Sequence, residues 1–307
     1  MPAPLIVIVG PTAVGKTDFA LRLAGSLQGE IVSADSRLFY RGMDIGTAKP
    51  TRDELARIPH HLINVADPDE TWSLALFQQR AREAIEGIFA RDRLPFLVGG
   101  TGQYVRAVTQ AWTPPEVQPE ARLRAVLEDE AKKNSPAWLH ARLAHLDPAA
   151  ASLIDSRNLR RTVRALEVIL TTGQPFSRQR TQGTSPYEVL IIGLSRPRSE
   201  LYARIDARIE AMFEAGLLEE VRTLLARGFS PQLPSMSGIG YRECCRVLQG
   251  ELTEAEARML MRRATRVFVR RQSNWFKSGD PSIHWFEANM PDVLDKTISL
   301  INAKIRA

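Results

Sequence analysis

Leu5-Ile6-Val7-Ile8-Val9 is an unbroken apolar run of strand length, closed by Gly10 and Pro11. A run with no polar alternation is what a strand buried on both faces requires, as in the middle of a parallel sheet. At Asp18-Phe19-Ala20-Leu21-Arg22-Leu23 the spacing becomes helical, so the chain passes from strand through a tight turn into helix. Apolar runs return at Glu30-Ile31-Val32-Ser33-Ala34, Leu62-Ile63-Asn64-Val65, Leu94-Pro95-Phe96-Leu97-Val98 and Val189-Leu190-Ile191-Ile192-Gly193-Leu194, and each predicts a strand. Between the second and third of these, Leu76, Phe77, Ala81, Ala84, Ile85 and Ile88 form one stripe of a helix from Ser73 to Arg91, with Ser73 as its N-cap. Strands alternating with helices predict an α/β fold built on a largely parallel sheet.

From Thr113-Pro114-Pro115 the pattern changes to helices without strands. Arg122 to Lys133, Ala137 to Leu146, Ala149 to Ile154 and Asn158 to Thr171 carry helical spacing, and Gly173 closes the last. After the strand at 189–194, Ser199 to Ala226 predicts one or two amphipathic helices, and the loop Ser235 to Tyr241 leads to a basic helix from Thr253 to Lys277. The expected organisation is a core of residues 1–113 and 187–307, interrupted by an all-helical domain at 114–186.

With 307 residues, 44% hydrophobic and 25% charged, the chain is long enough for one large domain or two modest ones. No apolar run approaches the roughly 18 residues of a membrane span, and Met1 to Leu5 leaves no room for a signal peptide, so the cytoplasm is the expected location. Cys244 and Cys245 are adjacent, which suits neither an ordinary disulfide nor a four-ligand zinc site, and both are expected to be buried small residues. The net charge of +6 is concentrated between Arg157 and Lys277, in clusters such as Arg160-Arg161 with Arg164, Arg262-Arg263 with Arg266, and Arg270-Arg271. A polyanion larger than a nucleotide is suggested, although solvated helix faces give the same pattern.

The candidate chemistry begins at Gly10-Pro11-Thr12-Ala13-Val14-Gly15-Lys16-Thr17, the strand-turn-helix phosphate cradle. Its glycines let successive amides and a helix N-terminus converge on an anion, Lys16 adds a point charge, and the Thr17 hydroxyl stands where such loops hold magnesium. Asp35, just past a strand, faces the same crevice. It can serve as a magnesium carboxylate or as a general base. The strand at 94–98 offers no acid, and no Asn-Lys-x-Asp motif supports a GTPase. Thr101 lies in the turn Gly99-Gly100-Thr101-Gly102, which a ligand can approach closely. His60 and His61 lack metal-ligand spacing and read as loop histidines, while Trp275 and Phe276 read as core contacts. Arg204 and Arg208 share one helix face, with Asp206 turned away; they can grip a diphosphate or form surface salt bridges.

These pieces together resemble the tRNA dimethylallyltransferases, also called tRNA isopentenyltransferases, of bacterial type. The resemblance rests on Gly-Pro-Thr-Ala-x-Gly-Lys-Thr at 10–17 and Asp-Ser-x-x-x-Tyr-x-Gly-Met-Asp-Ile-Gly-Thr-Ala-Lys-Pro at 35–50. It extends through Pro-His-His-Leu-Ile at 59–63, Val-Gly-Gly-Thr-Gly at 98–102, Arg-Ala-Leu-Glu-Val at 164–168 and Gly-Ile-Gly-Tyr-Arg-Glu at 238–243. It implies a P-loop NTPase-like parallel sheet flanked by helices, and transfer of a dimethylallyl group from dimethylallyl diphosphate to N6 of adenosine 37 in the tRNA anticodon loop. Asp35 resembles the base that takes the N6 proton, Thr101 a residue close to both substrates, and Arg208 an arginine on the diphosphate, with Mg²⁺ at Thr17. Family segments that touch the anticodon stem-loop correspond to Asp35, Ser36, Arg37 and Leu38, to Arg160, Arg161, Thr162, Val163 and Arg164, and to Ser237, Gly238, Ile239, Gly240, Tyr241 and Arg242. Thr101 and Arg122 belong to the same set, which makes 114–186 a tRNA-binding domain, and affinity is expected to fall steeply with salt.

The chain departs from the family at Leu38, where many members carry glutamine, and at Ser237 and Val267, which replace polar residues. The zinc-finger extension of eukaryotic members is not found. A monomer is expected. The alternatives are an adenylate isopentenyltransferase, whose free nucleotide acceptor needs neither the helical insert nor the basic C-terminal half, and a P-loop small-molecule kinase with a helical lid.

Overall fold

The computed structural model describes residues 3–113, 115, 117, 120–179 and 181–305. Met1, invoked above for the signal peptide, and Pro114, at the expected domain boundary, lie outside them. Two compact units emerge, Met1–Thr109 with Ser185–Ala307, and Gln110–Thr184.

In the first unit β1 (Ala3–Val9), α1 (Lys16–Ser26), β2 (Gly29–Ser33), α2 (Arg52–Arg57), β3 (His60–His61), α3 (Leu74–Phe89), β4 (Leu94–Val98) and α4 (Gly102–Thr109) follow one another. The second unit holds β5 (Trp112–Thr113), α5 (Ala121–Asn134), α6 (Pro136–Leu146), α7 (Pro148–Leu153), α8 (Leu159–Thr172), α9 (Phe176–Gln179) and β6 (Thr181–Gln182). The chain then returns to the first unit with β7 (Tyr187–Ser195), α10 (Arg198–Glu214), α11 (Leu217–Ala226), α12 (Tyr241–Leu248), α13 (Glu254–Trp275), β8 (Ile283–Glu287) and α14 (Val293–Ile305).

The sheet runs β3-β2-β4-β1-β7-β8, every neighbouring pair parallel. Ile6 lies between Phe96 and Leu190 in register. The apolar run Leu5 to Val9 is buried on both faces, each side chain contributing roughly 1.5–3 kcal/mol of hydrophobic stabilisation. Because the strands are parallel, their carboxyl ends share one edge. The phosphate loop leaves β1 there, Asp35 follows β2, Thr101 follows β4, and Arg196 follows β7.

The structure moves one expected strand. Leu62 to Val65 does not pair, because Leu62 (φ 62°) and Asn64 (φ 56°) adopt left-handed backbone that no strand tolerates. The strand is instead His60–His61, so these are edge-strand rather than loop histidines, and His61 Nε2 lies 2.7 Å from Glu30 Oε2. Residues 199–226 form two helices, parted at Gly216. Two further elements, α2 and the β8–α14 pair, carried no strong pattern: α2 buries nothing, and its signature is the reciprocal cap between Thr51 and Glu54.

The second unit packs α5 to α8 around Leu127, Leu139, Leu143, Val163 and Leu166. It is not free of strands, as the sequence led us to expect: Trp112 and Thr113 pair antiparallel with Gln182 and Thr181. Strands of two residues are too short to show periodicity. No helix among the described residues is long and apolar enough to cross a membrane.

Candidate active site

The phosphate loop is shaped by backbone before any side chain acts. Gly10 has φ 148°, and a Cβ built there would stand 2.6 Å from the Leu194 carbonyl, so only glycine fits. Gly15 caps α1 with no side-chain hydrogen bond, leaving the first amides of the helix without intrahelical acceptors. Two arginines hold the carbonyls that turn the other way: Arg204 Nε donates to Ala13 O at 2.8 Å, and Arg196 Nε donates to Val14 O at 2.8 Å. Ala13 itself has φ 63°, a conformation that costs an L-residue roughly 1–2 kcal/mol.

Two further cations face this loop. Lys16 Nζ donates to Gly10 O (3.0 Å) and Pro11 O (2.8 Å). Burial pulls its pKa down to about 8, with Asp35 opposing and Arg208 adding to the shift. Arg208 Nη1 donates to Thr12 Oγ1 at 3.4 Å, and its pKa too is lowered by burial, opposed by Asp35 and assisted by Arg204. Among the described residues the surface salt bridges considered for Arg204 and Arg208 are not seen; Asp206 pairs instead with Arg266 at 2.7 Å.

Asp35 Oδ1 accepts the Arg37 amide at 3.0 Å, fixing the turn after β2, and the neighbouring Ser36 amide donates to Thr101 Oγ1 at 3.5 Å. Arg37 then spans to the 234–237 loop, donating to Pro234 O (2.9 Å), Ser235 O (3.0 Å) and Ser237 Oγ (3.4 Å). Two sequence segments some two hundred residues apart are thereby laid side by side. Tyr241 is buried and donates its hydroxyl to Glu220 Oε1 at 2.7 Å; the same carboxylate accepts the amides of Asp44, Ile45 and Gly46.

A cavity of about 800 Å³ opens between these loops. Thr12, Ala13, Asp35, Ser36, Arg37, Thr101 and Arg208 line it, together with Ser237, Gly238, Ile239, Tyr241 and Arg242. Leu38, Gly240, Lys16 and Thr17 are not in its wall. Arg263 and Arg271, from the basic clusters of α13, also line it, as do Trp275 and two residues that sequence reading missed, Arg246 of α12 and Gln272 of α13. Trp275, read as a core contact, also packs on Gly102 and lines the cavity. The available signal was Gln272, an uncharged polar residue on the stripe that continues from the buried Ala257 and Met261. The two cysteines are free and buried.

The remaining expected residues belong to the second unit. Arg122, Arg160 and Arg161 are exposed. Thr162 and Val163 are buried and Arg164 is half-buried, so of that segment only the first two arginines present free faces. Arg164 donates to Glu167 Oε2 (2.7 Å), and Arg124 meets the same carboxylate at 2.8 Å with two nitrogens. Burial raises the Glu167 pKa, but Arg124, Arg164 and the Glu120 amide outweigh it and hold the carboxyl down to about 2.

No group of three or more His, Cys, Asp or Glu among the described residues could hold a metal. Magnesium on a diphosphate needs no such group, because phosphate and water supply most of its oxygens. The exposed Thr17 hydroxyl at the start of α1 fits that requirement.

The family model described as IPP transferase matches residues 38–279, and one described as isopentenyl transferase matches residues 3–64. A tRNA dimethylallyltransferase of Roseiflexus sp. (strain RS-1) is 52% identical over 304 residues, 99% of each chain. One from Chloroflexus aurantiacus is 53% identical over 273 residues, covering 89% of this chain and 92% of that one. Among solved structures, the full-length tRNA isopentenylpyrophosphate transferase of Bacillus halodurans is 40% identical with a TM-score of 0.74, over 99% of this chain and 97% of the other. A eukaryotic dimethylallyltransferase, described as acting on tRNA, is 27% identical with a TM-score of 0.82, over 99% and 80%. With a family model spanning most of its length and relatives this similar from end to end, the chain belongs to the IPP transferase family.

Proposed function

We propose that this protein is a tRNA dimethylallyltransferase, joining C1 of dimethylallyl diphosphate to N6 of adenosine 37 in the tRNA anticodon loop and releasing diphosphate. The observation that carries the reading is a cavity whose wall joins a carboxylate, Asp35, to Thr12 and Ala13 of the phosphate loop and to Arg208, with Lys16 bonded to the carbonyls of the same loop. In the transfer, the N6 lone pair forms the new C–N bond as the C1–O bond breaks. The N6 proton passes to Asp35, and the electron pair of the broken bond leaves on the diphosphate. The loop amides, Lys16 and Arg208 meet that charge where it develops, and Thr101 orients the reacting groups from the neighbouring turn. The Thr17 hydroxyl would hold a Mg²⁺ ion, which would supply further positive charge to the diphosphate.

An adenine stacked in an anticodon loop has to be extruded to reach Asp35, at a cost of a few kcal/mol. Ser36, Arg37, Ser237 to Ile239 and Arg242 line the cavity that receives it, while Arg122, Arg160 and Arg161 offer contacts to the RNA backbone. Tyr241, Thr162 and Val163 are better suited to shaping these surfaces than to touching RNA through polar atoms. We take the protein to act as a monomer in the cytoplasm.

The test is mass spectrometry of a tRNA with adenosines at 36 to 38, incubated with protein, Mg²⁺ and dimethylallyl diphosphate. A dimethylallyl mass on adenosine 37 is expected. With Asp35→Asn it should fall about 10³-fold while tRNA affinity stays near that of the wild type. Prenylated AMP with unmodified tRNA would move the acceptor to a free nucleotide, and ADP formed from ATP without prenyl transfer would favour a kinase.

A further inference from the structure

Gln272 is an uncharged polar side chain that α13 places in the wall of the cavity beside Arg271, and it is only 5% exposed. Both ends of its carboxamide are engaged. Oε1 accepts the Thr12 amide at 2.8 Å, and Nε2 donates to Gly100 O at 3.2 Å. A Cβ added to Gly100 would lie 2.2 Å from Nε2, so the turn after β4 is glycine where this side chain passes. The carboxamide is therefore held from both sides and cannot swing away without leaving the Thr12 amide and the Gly100 carbonyl unpaired.

The Thr12 amide stands at the β1 end of the phosphate loop, whereas the unfilled amides of α1 stand at its helix end. A chain of phosphates laid along the loop from the helix end meets Gln272 before it can reach Thr12. The side chain presents to that amide the same kind of acceptor that a phosphate oxygen would, without charge. We propose that Gln272 fills the place of a third phosphate and so sets the length of the anion, admitting a diphosphate and rejecting a triphosphate. This rests on the reading of the loop as a diphosphate cradle, and it explains how a loop of the nucleoside-triphosphate type is turned to a shorter anion.

The experiment measures the affinities of inorganic diphosphate and inorganic triphosphate by calorimetry, at fixed free Mg²⁺, for the full chain, Gln272→Ala and Gln272→Met. The wild type should prefer diphosphate by about tenfold or more, the scale on which a filled site discriminates. Gln272→Ala should lose that preference because triphosphate binding tightens. Gln272→Met keeps the bulk without the acceptor and should keep the preference, with both anions bound more weakly. An unchanged ratio in Gln272→Ala overturns the proposal, and so does equal loss in both variants, which would mean loosening of the loop. A wild type that binds both anions equally overturns it while leaving the diphosphate cradle intact; one that binds neither removes the cradle as well. Should Gln272→Ala fail to fold, Gln272→Asn withdraws the carboxamide by one methylene and puts the same ratio to the test.

Discussion

The two units hold positive charge in opposite ways. In the helical unit Arg124 and Arg164 converge on Glu167, a carboxylate with no exposure, and the three neutralise one another. In the sheet unit Lys16 and Arg208 are withdrawn from water beside a phosphate loop, and their hydrogen bonds go to neutral oxygens of Gly10, Pro11 and Thr12. Their pKa values fall, while that of Glu167 falls for the contrary reason, that its charged form is favoured. A cation matched by a buried carboxylate is architecture. One left facing open amides is a site prepared for an anion that arrives later.

The contrast can be broken most sharply by removing the unmatched cations. Lys16→Met and Arg208→Met should each lower the rate of prenyl transfer by about 10²–10³-fold and leave the melting temperature unchanged or higher, since a strained charge has been taken away. A drop in melting temperature in either variant would put these residues with the architecture. Glu167→Gln should do the reverse. It leaves two arginines facing a neutral group and should destabilise the helical unit by about 3 kcal/mol, seen as faster hydrogen exchange in α5 and α8, while inorganic diphosphate binds as in the wild type.

The pH dependences give the smaller test, and their signs differ. Glu167 is held below its ordinary 4.5, so its contribution is complete above that value and is lost as pH falls towards about 2. Lys16 is held below its ordinary 10.5, so the folded chain gains stability as pH rises from about 8 to 10.5, where the unfolded chain still binds that proton. Diphosphate needs the protonated form. Its affinity, corrected for its own ionisation, should therefore decline above pH 8 by up to about tenfold per unit, and Lys16→Arg should flatten the profile.

What could be read in advance follows from how each residue announces itself. The run Leu5 to Val9 and the glycines around Thr12 act locally, so strand, loop and helix were legible together. Asp35 and Thr101 were legible as residues at strand ends, because a parallel sheet brings all such ends to one edge. Gln272 was not, since its partners Thr12 and Gly100 lie 260 and 172 residues away and nothing near it in sequence speaks of them. The strand expected at 62–65 failed on backbone conformation at Leu62 and Asn64, which hydropathy does not encode. Thr162 and Val163 were placed at the RNA by their segment, but a helix turns about 100° per residue and sends them into the core beside the exposed Arg160 and Arg161.

The short ladder between β5 and β6 bears on how the chain acquires its fold. It joins Trp112 to Gln182 at the two ends of the helical unit, and the Gly183 amide reaches Ala111 O at 3.2 Å. β7 joins the sheet beside β1, and between α4 and β7 lies the helical unit of about 75 residues; closing an unstructured loop of that length costs on the order of 4 kcal/mol of chain entropy. Once the helical unit has formed and zipped its own ends together, that loop is already closed. For the sheet, the connection from α4 to β7 then behaves like a short turn, and the distance along the chain over which β7 must find β1 is reduced by the length of the helical unit.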